Sequence, residues 1–397
     1  MIIEPKVRGF ICTTAHPAGC RENVANQIAY TKEQSKLSHS YKSPKKALII
    51  GSSTGYGLAS RISLAYTYQT STLGVMYEKE AAGNRTATAG WYNTAAFESF
   101  ANDDGLYAQT INGDAFSKEI KEETIAKIKR DLGKVDMVIY SLAAPRRTVA
   151  DGTTYTSVLK ATSDTFESKS IDLRHNTISE ASIPTATEEE IASTIKVMGG
   201  EDWAEWIEAL VAGDALEEGA ITVAYSYIGP ELTYPIYKEG TIGHAKEHLH
   251  QTAALLTENY ASHDIHAYVS VNKALVTQSS AAIPVVPLYI SLLYKVQKEL
   301  GTHEGCIEQV CRMFAQKLLI ETPEVDGQGL IRLDDYELDS EVQEKIKALW
   351  EEVTTENITD IADIDGYWDD FYTMFGFGIA GVDYSDDIDA SVAVPSI

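Results

Sequence analysis

Basic residues are scarce in this 397-residue chain, with 33 Lys and Arg against 58 Asp and Glu and a net charge of −25. A phosphate backbone would be repelled on average, which excludes nucleic acid as a general partner. Cysteine is rarer still. Cys12, Cys20, Cys306 and Cys311 form two distant pairs, neither a CxxC, with no neighbouring ligands to complete a tetrahedral zinc site. Long apolar runs are missing too: the longest, residues 281–294, spans 14 positions and is broken by Pro284 and Pro287, too short for a bilayer. The first ten residues include Glu4, Lys6 and Arg8 and have no apolar core, so a signal peptide is not expected. Unpaired thiols without a targeting segment point to the cytoplasm.

What is present is ordinary globular composition, 44% hydrophobic and 23% charged, with length for a large core. The acidity is uneven. Residues 321–397 hold 21 acidic and 3 basic side chains, net −18 of the total −25. A solvated face explains this better than an acidic docking site. Three regions follow: an irregular N-terminal extension over 1–44, a main domain over 45–320, and an acidic C-terminal region over 321–397 that reads as a small appendage.

Order begins at Ala47-Leu48-Ile49-Ile50, a continuous apolar run expected of a strand buried on both faces of a parallel sheet. From Gly57 the period changes, with Leu58, Ile62, Ala65 and Tyr66 at helical spacing. The alternation repeats: strand 72–78, helix 91–100, strand 106–111, helix 118–132, strand 135–142. Residues 147–184 show neither period. Helix resumes over 188–210, then strand 221–228, a helix from Thr241, strand 266–275, and helices over 287–300 and 306–319. Strands alternating with helices predict an α/β fold with a doubly wound parallel sheet.

The turn Gly51-Ser52-Ser53-Thr54-Gly55-Tyr56-Gly57 fits two motifs. As GxSxG it would make Ser53 the nucleophile of a hydrolase, but such an elbow normally follows several strands and no strand is evident before Ala47. As GxxxGxG after a first strand it would cradle a pyrophosphate at a helix N-terminus. The second strand should then end in an acid for the ribose, and it ends in Tyr77-Glu78. A carboxylate there accepts from a ribose diol and repels a 2′-phosphate, which favours NADH over NADPH.

Tyr237 and Lys246 lie nine positions apart. In a carbonyl-polarising reductase a phenol donates to a developing oxyanion, while a nearby ammonium lowers the phenol's pKa and holds the nicotinamide ribose. On one helix, residues nine apart fall on opposite faces. The pair therefore requires Tyr237 to precede the helix, with Gly240 as the break and Thr241 as N-cap. Lys246 borders the apolar stripe Ile242, Ala245, Leu249, Ala253 and Leu256, a place for a partly desolvated lysine. With 22 tyrosines in the chain, the spacing alone is weakly specific. His244 and His248 are spaced i,i+4, but Ala245 stands where HExxH needs glutamate, which predicts a surface or capping role and no metal.

Many segments in order now match one family: Arg8-Gly9-Phe10-Ile11-Cys12 with His16-Pro17, the glycine turn, Gly90-Trp91-Tyr92-Asn93, Gly113-Asp114-Ala115-Phe116, Tyr140-Ser141-Leu142-Ala143, Met198-Gly199-Gly200-Glu201-Asp202-Trp203, Ala224-Tyr225-Ser226-Tyr227-Ile228-Gly229, Tyr237-x8-Lys246, and Ser270-Val271-Asn272-Lys273-Ala274-Leu275-Val276-Thr277. Over essentially its full length the chain resembles V-type enoyl-acyl-carrier-protein reductases and the related NADH-dependent trans-2-enoyl-CoA reductases. The resemblance implies an enlarged short-chain-dehydrogenase-like Rossmann fold with N- and C-terminal extensions, acting as a monomer on an enoyl thioester of acyl carrier protein or CoA. Tyr237 would donate the proton, Lys246 would contact the cofactor, and Tyr227 would touch the substrate carbonyl region. NADH would be held by Gly51, Ser52, Ser53, Thr54, Gly55, Tyr56, Tyr77, Glu78, Asp114, Ala115, Leu142, Ala143, Lys246, Leu275, Val276 and Thr277, with Asp114 a natural acceptor for the adenine amino group. The run 281–294 would lie near an acyl pocket. His244 stands where lysine is common in relatives. The C-terminal region resembles one sometimes labelled flavin-binding, but it has no glycine turn and no flavin is expected. Arg146 and Arg147 are candidates for docking an acidic carrier. A carbonyl-reducing dehydrogenase and a noncatalytic NADH-binding protein remain as other readings of the same fold.

Overall fold

A computed structural model describes residues 1–8, 11–36, 42–278, 280 and 283–397 of the chain. Gly9 and Phe10 of the N-terminal motif, and positions 281 and 282 of the proline-bearing run, lie outside the described residues. Seven parallel strands form the central sheet: β1 (Lys46–Ile50), β2 (Ser71–Met76), β3 (Ala108–Asn112), β4 (Val135–Tyr140), β5 (Leu216–Ser226), β6 (His266–Val271) and β7 (Leu330–Arg332). Their order is β7-β6-β5-β4-β1-β2-β3. The direction of winding reverses between β1 and β4, and ligands of open α/β sheets bind beyond the carboxyl ends of strands at such a point.

β1 explains the two-layer packing. Ala47, Leu48, Ile49 and Ile50 have no exposed surface. Side chains alternate across a strand, so Ala47 and Ile49 pack with helices α1 (Pro17–Ser35), α2 (Gly55–Tyr68) and α3 (Ala89–Asp103), while Leu48 and Ile50 pack against α4 (Lys118–Asp131), α6 (Glu201–Ala212) and α8 (Thr241–Asn259). Each fully buried Leu or Ile contributes about 1.5–3 kcal/mol relative to exposure. A third apolar cluster joins α9 (Val286–Leu300), α11 (Ser340–Glu352) and α13 (Ile364–Thr373), and it contains Tyr237, Leu275 and Val276. No described helix is long and apolar enough to cross a membrane.

Several elements depart from expectation. The N-terminal extension is not irregular: α1 occupies 19 residues, capped by His16 and started by Pro17, with Cys20, Val24, Ile28 and Thr31 buried along one face. The helix expected over 188–210 is two, α5 (Glu188–Met198) and α6, because a glycine pair separates them. A Cβ on Gly200 would sit 2.1 Å from the Thr252 hydroxyl, so glycine lets this corner approach α8. Residues 147–184 contain an antiparallel hairpin, Phe166–Asp172 with Thr177–Ile183, whose mostly half-exposed faces gave no clean alternation. The acidic C-terminal region supplies β7 to the main sheet.

Candidate active site

The glycine turn is pressed against the end of β4. Gly51 has φ +83°, and a Cβ there would come within 2.3 Å of the Ser141 carbonyl oxygen, while one on Gly57 would lie 1.8 Å from the Gly51 oxygen. Thr54, the N-cap of α2, makes no side-chain capping bond, which leaves the first-turn N–H groups of that helix for a ligand. Ser53 Oγ donates to Glu78 Oε1 at 2.6 Å, so Ser53 is tied to a carboxylate and not to the histidine a hydrolase requires. Glu78 directly follows Tyr77, which is exposed, and is steadied by Asn112, whose Oδ1 accepts its N–H at 2.8 Å. A Cβ on Gly90 would meet Glu78 Oε1 at 2.1 Å, so glycine lets the carboxylate stand where it does. Asp114, after β3, accepts from Phe116 N at 3.0 Å and is half-buried beside buried Ala115. Gly51–Gly57, Glu78 and Asp114 thus follow the carboxyl ends of adjacent strands.

A cavity of about 370 Å³ opens where β4, β5 and β6 end, and Tyr56, Ala143, Tyr227, Tyr237, Lys246, Leu275 and Thr277 all line it. Gly51, Ser52, Ser53, Thr54, Tyr77, Glu78, Asp114, Ala115, Leu142 and Val276 do not. Tyr237 ends the short helix α7 (Tyr234–Tyr237), and α8 begins four residues later, so phenol and amine are on separate helices and reach one cavity. Gly240, not Thr241, is the N-cap. The Thr241 hydroxyl is used elsewhere, donating to Val158 O at 2.6 Å and accepting from Lys160 N at 3.2 Å.

Electrostatics differ from the simple phenol–ammonium picture. Burial lowers Lys246 to about 8, and its Nζ donates to Tyr225 O at 3.1 Å. Tyr237 is raised, first by burial and then by the charge of Glu337, so it stays a protonated donor at neutral pH. Its hydroxyl has no hydrogen-bond partner among the described residues. Tyr227 meets it edge to face and donates to Glu337 Oε1 at 2.9 Å.

Sequence reasoning passed over several lining residues. Asn272 and Lys273 sit within the matched segment 270–277 and line the cavity. Ser226 also lines the cavity. Glu337 carried no signal, being one carboxylate in an acidic run. Arg147 cannot dock a carrier: it is 2% exposed and bonded to Glu201 at 2.7 Å and Glu205 at 2.6 Å. Arg146 is exposed. His244 is exposed, and His248 Nδ1 accepts from Gly200 N at 3.0 Å.

Such an arrangement, with a glycine turn, a strand-end acid and a cavity along the carboxyl edge of one parallel sheet, is that of dinucleotide-dependent oxidoreductases. The chain itself is a member of the trans-2-enoyl-CoA reductase family. The model of the trans-2-enoyl-CoA reductase catalytic region matches residues 85–319, and that of the NAD(P)H binding domain of trans-2-enoyl-CoA reductase matches 2–83. An enoyl-[acyl-carrier-protein] reductase [NADH] from Flavobacterium johnsoniae is 56% identical over 400 residues, covering 100% of both chains. A trans-2-enoyl-CoA reductase [NADH] from Ruminiclostridium cellulolyticum is 51% identical over 398 residues, again covering 100% of both. The crystal structure of Treponema denticola trans-2-enoyl-CoA reductase in complex with NAD superposes with a TM-score of 0.95 at 48% identity, covering 98% of each chain.

A third model, the enoyl reductase FAD binding domain, matches residues 325–388. The residues there do not fit a flavin dinucleotide. Arg332 is held by Asp334 at 2.6 Å and Asp326 at 3.1 Å, and Lys345 by Glu341 at 2.7 Å. The N-termini of α11 and α13 are already filled by the carboxylates of Asp339 and Asp363. A pyrophosphate would meet carboxylates at both helix ends, where an anion site needs free N–H groups.

Proposed function

We propose that this protein reduces the trans-2 double bond of an enoyl thioester with NADH, with Tyr237 as the proton-donating residue and Lys246 as the cofactor-contacting base of the site. One observation carries this reading: the Tyr237 hydroxyl, without a hydrogen-bond partner among the described residues, shares a cavity with the buried amine of Lys246. Bound NADH supplies hydride to the β-carbon of the enoyl group. The Tyr237 phenol hydrogen-bonds to the thioester oxygen and stabilises the enolate that develops there, and a proton from solvent water then adds at the α-carbon to complete the saturated acyl thioester. A donor whose pKa is raised keeps its proton through this step, so charge stabilisation does not depend on tyrosinate. Lys246, lowered by burial to about 8, is still largely an ammonium at neutral pH and can hold the nicotinamide ribose as the dinucleotide is seated. Tyr227 bounds the thioester side of the same cavity. The glycine turn, Glu78 and Asp114 take the adenosine half, with Glu78 selecting against a 2′-phosphate.

The carrier we propose is acyl carrier protein, as in the name of the Flavobacterium relative, at the last step of fatty-acid elongation. The name of the Ruminiclostridium relative favours CoA as a second reading. Both carriers present the same pantetheine thioester. The test follows NADH absorbance and free thiol with crotonyl-CoA, a crotonyl carrier protein and a 3-oxoacyl thioester. Oxidation of NADH with the enoyl substrates alone is expected. Oxidation only with the 3-oxoacyl compound would mean a carbonyl reductase, thiol release without NADH a hydrolase, and no substrate-dependent change a binding protein. The larger kcat/KM of the two crotonyl thioesters identifies the carrier.

A further inference from the structure

Glu337 lies in the acidic C-terminal region, just beyond β7, yet it has no exposed surface. Three donors converge on it. Tyr227 Oη at 2.9 Å and Tyr289 Oη at 2.7 Å both donate to Oε1, and Ala274 N donates to Oε2 at 2.7 Å. Only donors face it, the surroundings suited to a carboxylate, which accepts and does not donate. A buried carboxylate without such partners would be strongly destabilising. Tyr227 and Ala274 both line the reaction cavity, and they come from separate segments after β5 and β6. The same Tyr227 ring stands edge-on to Tyr237, centroids 4.6 Å apart and planes at 89°.

We propose that Glu337 is a positioning residue for the reduction: its one carboxylate locks the Tyr227 hydroxyl and the 272–277 segment together, and through the Tyr227 ring it sets the orientation of the Tyr237 phenol. The proposal rests on the reading of Tyr237 as donor. Tyr227 has a single proton and gives it to Glu337, so it meets the substrate through its ring and oxygen lone pairs while Tyr237 remains the phenol free to donate. Burial first, and the Glu337 carboxylate second, raise both phenols; burial raises Glu337 as well, opposed by its three donors and the nearby Lys273 charge. On this account residues 325–388 serve the reaction by closing the back of the enoyl site with a carboxylate, a task unrelated to flavin.

The test is a mutant cycle of Glu337→Gln, Tyr227→Phe and the double variant, each assayed by NADH oxidation with crotonyl-CoA and by thermal melting. A misoriented phenol predicts that Glu337→Gln lowers kcat about tenfold or more, with both KM values within about threefold of wild type. The double variant should be no slower than the slower single variant, because both changes cut one connection. Glu337→Asp, which keeps the charge but withdraws it by one methylene, should show the same kcat loss and stands in if the Gln variant does not fold. Wild-type kcat in a folded Glu337 variant, or losses that multiply in the double variant, would overturn the role of Glu337. A wild-type enzyme that does not oxidise NADH with crotonyl-CoA would instead overturn the reductase reading beneath it.

Discussion

Tyr227 and Tyr237 meet at 89° with ring centroids 4.6 Å apart, and among the described residues only Tyr227 has a partner for its hydroxyl. The two phenols are therefore not interchangeable. Removing the Tyr237 hydroxyl takes away a donor that matters only when charge develops on the thioester oxygen. Tyr237→Phe should lower kcat about 100- to 1000-fold. NADH affinity, followed by nicotinamide fluorescence, should stay near wild type.

Lys246 sets a pH dependence of cofactor binding. Its folded pKa is depressed to about 8, so in the empty site the ammonium is largely present below that pH and lost above it. The dissociation constant for NADH should be flat below about pH 8 and rise by up to about tenfold per unit above it, since binding then requires proton uptake. Lys246→Ala should bind NADH more weakly at neutral pH and lose this rise. A wild-type constant independent of pH from 7 to 10 would remove the amine from cofactor binding.

Ser53 and Glu78 separate dinucleotide binding from hydrolysis. Glu78→Ala removes the charge that opposes a 2′-phosphate and should raise kcat/KM for NADPH relative to NADH by about tenfold or more. Ser53→Ala should leave enoyl reduction intact within a few-fold and create no change in thiol release. Complete loss of turnover in Ser53→Ala with NADH binding retained would reopen the nucleophile reading.

Arg147 holds α6 and is out of reach of a carrier. Its guanidinium bonds Glu201 and Glu205 and lies 4.0 Å from buried Asp202. Arg147→Ala should destabilise the fold by about 2 kcal/mol or more in urea unfolding, a figure reduced from that of a fully buried pair because Glu201 and Glu205 are partly exposed. The KM for an acyl-carrier-protein substrate should not change.

Local chemistry made much of this structure readable. The apolar run 47–50 reads as a doubly buried strand because both its faces are covered, and the glycine turn reads as phosphate-binding because it follows that strand at once. The nine-residue separation of Tyr237 and Lys246 demands a helix break, and the break falls at Gly240. Other features depend on contacts far apart in sequence. α1 was hidden because its buried stripe includes Cys20 and Thr31 among polar neighbours. β7 is three residues long and pairs with a strand some sixty positions earlier. Glu337 is indistinguishable in sequence from the many other acids of its region; its packing against Tyr227, Tyr289 and Ala274 singles it out. Arg147 likewise reads as a surface cation until α6 is folded over it.

The missing side chain at Gly90 constrains how cofactor choice can drift. A methyl group there would overlap the Glu78 carboxylate, so a replacement must swing that side chain off its bond to Ser53. Changing position 78 alone does not free position 90, because the Ser53 Cβ also stands 2.8 Å from that point, so drift in this corner involves the glycine turn as well.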